Sequence, residues 1–160
     1  MTEQHDEVGA SGRSGGDGVP VLVVDDNPQF LDVVRAALAR TPPGFAVFAV
    51  ESGTKALAFL RREPPFASAP RPAFVVLDLR LPDLEAPDVL RRLAARGDLD
   101  ALPVLVVSQA QWEEDAVAIQ RAGATAFHLK PSRVQALRNL IVDFWKEHVD
   151  GATAAHRRRP

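Results

Sequence analysis

A chain of 160 residues, 46% hydrophobic and 25% charged, can bury a proper core without staples and reads as one ordinary globular domain with modest tails. It has no cysteine, which excludes a disulfide framework and any thiolate metal site and suits a reducing cytosol. A formal net charge of −2 provides no global field for gathering nucleic acid, and the apolar runs are too short to span a bilayer.

Residues 1–18, MTEQHDEVGASGRSGGDG, hold almost no apolar side chain and five glycines, so they are expected to form a flexible tail. No basic segment followed by an apolar one opens the chain, so a cytoplasmic location is expected. From Val19 onward, apolar runs alternate with helical periodicity five times, the pattern of βα units building a parallel sheet buried on both faces.

The first strand is Val21 to Val24, and Asn27-Pro28 supplies an N-cap followed by proline at the first helical position. Phe30, Leu31, Val34, Ala37 and Leu38 give that helix one apolar face, and Thr41-Pro42-Pro43-Gly44 stops it. Phe45 to Val50 is the second strand; Gly53-Thr54 opens a helix that Pro64-Pro65 ends, and a proline-rich loop over 64–72 follows. The third strand, Ala73 to Leu77, ends on Asp78, and a helix through Val89, Leu90 and Leu93 follows Pro82. The fourth, Pro103 to Val107, ends on Ser108 and leads to a helix with Trp112, Ala116 and Ile119 that closes at Gly123. The fifth, Thr125 to Leu129, ends on Lys130-Pro131, and the last helix carries Val134, Leu137, Leu140, Ile141, Phe144 and Trp145. Residues 150–160 should form a second tail, whose Arg157-Arg158-Arg159 reads as a solvated end, the alternative being a weak anionic contact.

Four strands thus end on a polar group: Asp25 with Asp26, then Asp78, Ser108 and Lys130. In an open parallel sheet the carboxyl ends of the strands share one edge, where ligands bind. The second strand contributes nothing and would sit at a border in the order 2-1-3-4-5, with helices on both faces. The three central strands would then bring three carboxylates, one hydroxyl and one ammonium into a single cleft. Three carboxylates together need a cation. Oxygen-only donors select a hard ion such as Mg²⁺, bound at about 2.0–2.1 Å. Lys130 suits phosphate or carboxylate oxygens, Ser108 can donate to a phosphoryl oxygen, and Asp78 as nucleophile could form an aspartyl phosphate.

These residues resemble the receiver domain of two-component response regulators over about residues 19–149, a flavodoxin-like fold. Asp25-Asp26 falls on that family's acidic pair and Asp78, in VVLDLRLPD, on its phosphoacceptor, with Pro82 four residues on. Ser108 falls on the Ser/Thr position and Lys130-Pro131 on the Lys-Pro after the fifth strand. The resemblance implies that Asp26 binds Mg²⁺ directly, Asp25 mostly through water, and Arg80 through its backbone carbonyl. It also implies that phosphorylation of Asp78 draws Ser108 toward the phosphoryl group and turns Phe127 inward, reshaping the surface of the fourth helix, fifth strand and fifth helix. Gln109 stands where the family usually has a small residue, and Glu85-Ala86 where it has Asp-Gly, which bear on phosphoryl lifetime and loop geometry.

Nothing but the short tail follows the last helix in this sequence. A stand-alone phosphoacceptor is therefore expected, serving a histidine kinase and either signalling by protein contact or passing the phosphoryl group onward in a phosphorelay. The last-helix pattern is similar to that of regulators paired with phytochrome-type kinases. Adjacent Phe144 and Trp145 imply either a wide core stripe or an anchor for a homodimer or partner. Two rival classes remain: a phosphorylation-independent scaffold with this fold, and a phosphohydrolase, which would want a second Asp where Arg80 stands.

Overall fold

The runs that lack any hydrophobic alternation are those the fold buries on both faces. FVVLD and VLVVS become strands β3 (Phe74–Asp78) and β4 (Val104–Ser108), buried at every position. With β1 (Val19–Val24), β2 (Phe45–Val50) and β5 (Ala126–Leu129) they form a five-stranded parallel sheet in the order β2-β1-β3-β4-β5. Helices α1 (Pro28–Leu38), α2 (Gly53–Arg61), α3 (Ala86–Ala95), α4 (Glu113–Ala122) and α5 (Val134–Trp145) alternate with the strands. This computed structural model describes residues 18–109 and 113–151. The expected tails, apart from Gly18, Asp150 and Gly151, and the helical position given to Trp112 lie outside them.

Alternate residues of each strand face opposite sides of the sheet, so the strands feed two cores. Val21, Val23, Phe74, Val76, Leu105 and Val107 pack under α1 and α5, against Phe30, Val34, Leu137, Ile141 and Phe144. Leu22, Val24, Val75, Leu77 and Val106 pack on the other face, against Leu57, Leu90 and Ile119 of α2, α3 and α4. Parallel register then aligns the strand ends. Val24 pairs with Leu77, Asp78 with Val107, and Ser108 with Leu129.

Local chemistry sets the helix limits. The Asn27 side chain accepts the Gln29 N–H and the Ser52 hydroxyl accepts the Lys55 N–H, so each cap satisfies one first-turn amide of α1 and of α2. α2 stops at Arg61 because Arg62 turns left-handed at φ 55°, before Pro64-Pro65 is reached. Arg138 of α5 donates through Nε to the Ala37 carbonyl at 3.0 Å, tying the end of α1 to its neighbour.

The adjacent aromatics of α5 both pack inward. Phe144 lies 5.6 Å from the Phe74 ring, and half-buried Trp145 meets Phe45 edge-on at 5.9 Å. The apolar stripe is wide enough for both, since Phe144 meets a residue of β3 and Trp145 one of β2. Among the described residues no helix is long and apolar enough to cross a membrane. Phe74 is fully buried at the centre of this aromatic group, so Phe74→Ala should cost about 3–5 kcal/mol by urea denaturation. Trp145→Ala, truncating a half-buried ring, should cost clearly less; equal losses would mean that the Phe74 ring is not the keystone of this face.

Candidate functional site

Each strand delivers its polar side chain at the last rung of the ladder, where the backbone is still bonded to its neighbour but the apolar run has ended. β1 leads into Asp25 and Asp26, β3 and β4 finish on Asp78 and Ser108, and Lys130 follows β5. The Lys130 N–H donates to the Ser108 carbonyl at 2.7 Å, holding the β5 end against β4. Together with Asn27, Arg80 and Gln109 these residues line one cleft of about 320 Å³. Carboxylate oxygens of Asp25, Asp26 and Asp78 lie within 4.8 Å of one another. Asp25 and Asp78 are buried while Asp26 is exposed. The ammonium comes from the border strand β5, not from a central strand as the sequence reading had it.

Phe127 lies apart from this cleft. Half-buried on β5, it lines a second cavity of about 220 Å³ with Ala116, Ile119 and Gln120 of α4. The loop after β3 closes on itself through a bridge between Arg80 and Glu85, whose side chains pair at 2.7 Å; Arg80 also reaches Asp115 of α4 at 3.5 Å. Glu85, where an Asp-Gly pair was the family's expectation, thus serves this loop as an ion-pair partner.

Comparison with known proteins settles the family. Residues 21–142 match the response regulator receiver domain. The chain belongs to that family. This receiver is 36% identical over 123 residues to the probable transcriptional regulatory protein TcrX of Mycobacterium tuberculosis, an alignment covering 77% of the chain and 48% of TcrX. It thus spans about half the length of that relative. Response regulator Rcp1 of Synechocystis is 26% identical over 132 residues, with 81% of this chain and 90% of Rcp1 covered. The crystal structure of the phosphorylated cyanobacterial phytochrome response regulator RcpA superposes with a TM-score of 0.74 at 26% identity, covering 82% of this chain and 94% of RcpA.

The receiver's cleft is electrostatically unbalanced. Lys130 Nζ stands 2.7 Å from Asp25 Oδ2 and 3.4 Å from Asp78 Oδ1, one ammonium against three carboxylates. The Asn27 N–H donates to Asp25 Oδ1 at 2.8 Å, but Oδ2, although within ion-pairing reach of Lys130, has no aligned hydrogen bond. Phe30 of α1 places its ring face 4.4 Å from Lys130 Nζ, a cation–π contact that holds the ammonium over the acids. Two contributors were not legible beforehand. Helical periodicity assigns Phe30 only to an apolar stripe, and Asp83, which accepts the Gly53 and Thr54 N–H groups, acts across 30 and 29 residues of sequence.

Burial, then the Asp25 charge, raise Asp78 from the ordinary 3.8 to about 6, with Lys130 opposing and Asp26 adding to the rise. An all-oxygen donor set, an unaligned buried carboxylate oxygen and excess negative charge together fit a hard divalent cation. Without one, ionising Asp78 costs stability. As pH rises from the ordinary 3.8 through about 6, the native state keeps a proton that the unfolded chain has released, so stability falls. That loss is complete above the native pKa and amounts to on the order of 2–3 kcal/mol. In chelator at about pH 7.5, Asp78→Asn should therefore be more stable than wild type by on the order of 1–3 kcal/mol. The advantage should shrink toward zero near pH 4, as urea titrations at the two pH values would show; a gain independent of pH would point to shape rather than charge.

Proposed function

We propose that this receiver accepts a phosphoryl group from a sensor histidine kinase onto Asp78 and signals through a protein contact that depends on it. The observation that carries the reading is the clustering of three carboxylates within 4.8 Å around one buried ammonium. An Asp78 carboxylate oxygen attacks phosphorus, the bond from phosphorus to the kinase's histidine nitrogen breaks, and the imidazole leaves with the electron pair. Asp26, Asp78 and the Arg80 carbonyl would hold Mg²⁺, with Asp25 acting mostly through water. When bound, the ion supplies positive charge for the transferring oxygens. Lys130, held by Asp25 and Phe30, gives a second positive charge beside Asp78. The Ser108 hydroxyl, at the end of β4, is placed to donate to a phosphoryl oxygen.

Phe127 borders a cavity lined by Ala116, Ile119 and Gln120 of α4, and in this reading its ring turns inward when Ser108 moves toward the phosphoryl group. Similarity to RcpA supports a phytochrome-type kinase as donor, and a cytosolic setting follows from that chemistry. The receiver acts as a phosphoacceptor that promotes its own transfer and hydrolysis without turning over another substrate. Exposed Gln109 on the cleft rim favours one second reading, a scaffold that works without phosphorylation.

Incubation of the purified chain with MgCl₂ and acetyl phosphate should add the mass of one phosphoryl group to wild type and none to Asp78→Asn. Lys130→Met should slow the addition at least about tenfold, since removing one partner that stabilises a transferring charge costs on that order. Equal labelling of wild type and Asp78→Asn would sink the assignment. Binding to a physiological partner that is insensitive to Asp78→Asn would establish the scaffold instead.

A further inference from the structure

The loop from Leu79 to Glu85 connects β3 to α3 and carries Arg80, which lines the cleft beside the acids. Backbone bonds hold its ends: the Leu79 N–H donates to the Val107 carbonyl, and the Ala86 N–H donates to the Leu79 carbonyl, both at 2.9 Å, beside the Arg80–Glu85 bridge. Its tip is held differently. Asp83 Oδ1 accepts the Gly53 N–H at 2.9 Å and the Leu84 N–H at 2.9 Å. Oδ2 accepts the Thr54 N–H at 2.9 Å and the Thr54 hydroxyl. An anion here also meets the positive end of the α2 dipole. Burial works to raise this carboxyl, but the Thr54 hydroxyl and N–H and the Gly53 N–H outweigh it and hold it down at about 2. Asp83 is therefore ionised throughout the neutral range.

α2 does not lack a cap of its own, because Ser52 already accepts the Lys55 N–H. Asp83 takes the two amides that Ser52 leaves, and the bonds it makes join two separate parts of the chain. The packing beneath agrees. Gly53 has no side chain, and a Cβ there would lie 2.9 Å from Leu84 Cβ and 3.0 Å from Val89 Cγ2. The loop is thus seated directly on the first turn of α2, and only glycine lets it sit so low.

We propose that Asp83 is a positioning residue for the metal site, fixing the loop so that the Arg80 carbonyl stays aimed at the ion. This rests on the reading above in which that carbonyl is a ligand. Mg²⁺ tolerates little departure from octahedral geometry, so freedom gained at the loop tip is lost as affinity. Hydrogen-bond partners behind metal ligands typically govern about 10–100-fold in affinity. Asp83 acts through the backbone of a loop pinned at both ends, and the lower figure is expected.

Calorimetric titration of the full chain with MgCl₂, at a temperature where each variant is folded, tests this. Asp83→Ala should bind about tenfold more weakly than wild type. Asp83→Asn, which keeps one acceptor oxygen, should fall between them. Thr41→Val removes a hydroxyl bonded to the Ala37 carbonyl at the opposite end of the sheet; it should lower stability and leave Mg²⁺ affinity unchanged. Asp83→Ala within twofold of wild type overturns the proposal while leaving the metal site intact. Failure of wild type to bind Mg²⁺ overturns both. If Asp83→Ala does not fold, Gly53→Ala, which keeps the Asp83 carboxylate but adds a Cβ 2.9 Å from Leu84 Cβ and so lifts the loop off α2, is judged by the same twofold criterion.

Discussion

Three carboxylates held around a single ammonium are the constraint to which the rest of this molecule answers. Their repulsion opposes folding, so each must be forced into place by something stronger. For Asp25 and Asp78 that force is the sheet itself, since β1 and β3 are buried side by side and carry the residue after β1 and the last residue of β3 to the same edge. Lys130 answers part of the charge, and the aromatic face of Phe30 keeps it there. The remaining imbalance is what fits the cleft for a divalent cation.

The architecture was legible because its two periodicities do not overlap. Unbroken runs such as VLVV and FVVL cannot be amphipathic helices, and the helices between them show apolar spacing that no strand would keep. The site was legible for a related reason: in a parallel sheet a residue's place at the end of a run already implies which edge it occupies. That rule reached Asp25, Asp26, Asp78, Ser108 and Lys130, and the cleft contains them all. Lys130 nevertheless follows a border strand, as the order 2-1-3-4-5 itself requires, so counting its ammonium among the contributions of the three central strands was wrong.

What stayed hidden were contacts whose meaning depends on distance in space. Phe30 obeys helical periodicity like its neighbours, so its side chain reads as core until the ammonium above it is seen. Asp83 sits in an ordinary turn sequence, and its partners Gly53 and Thr54 belong to a different βα unit. The early end of α2 has the same character. A proline pair marks where a helix cannot continue, but a left-handed residue such as Arg62 ends it sooner without leaving a sequence signal.

The attachment of Lys130 to β5 has a consequence for communication. β5 borders the sheet, its Leu129 side chain is exposed, and the amide of Lys130 itself is tied to β4 at Ser108. Any body that binds this border and prefers one position of the strand thereby prefers one position of the ammonium. Thermodynamic linkage makes the preference mutual: whatever occupancy of the acidic cleft does to the affinity of the border, occupancy of the border must do, by the same factor, to the affinity of the cleft.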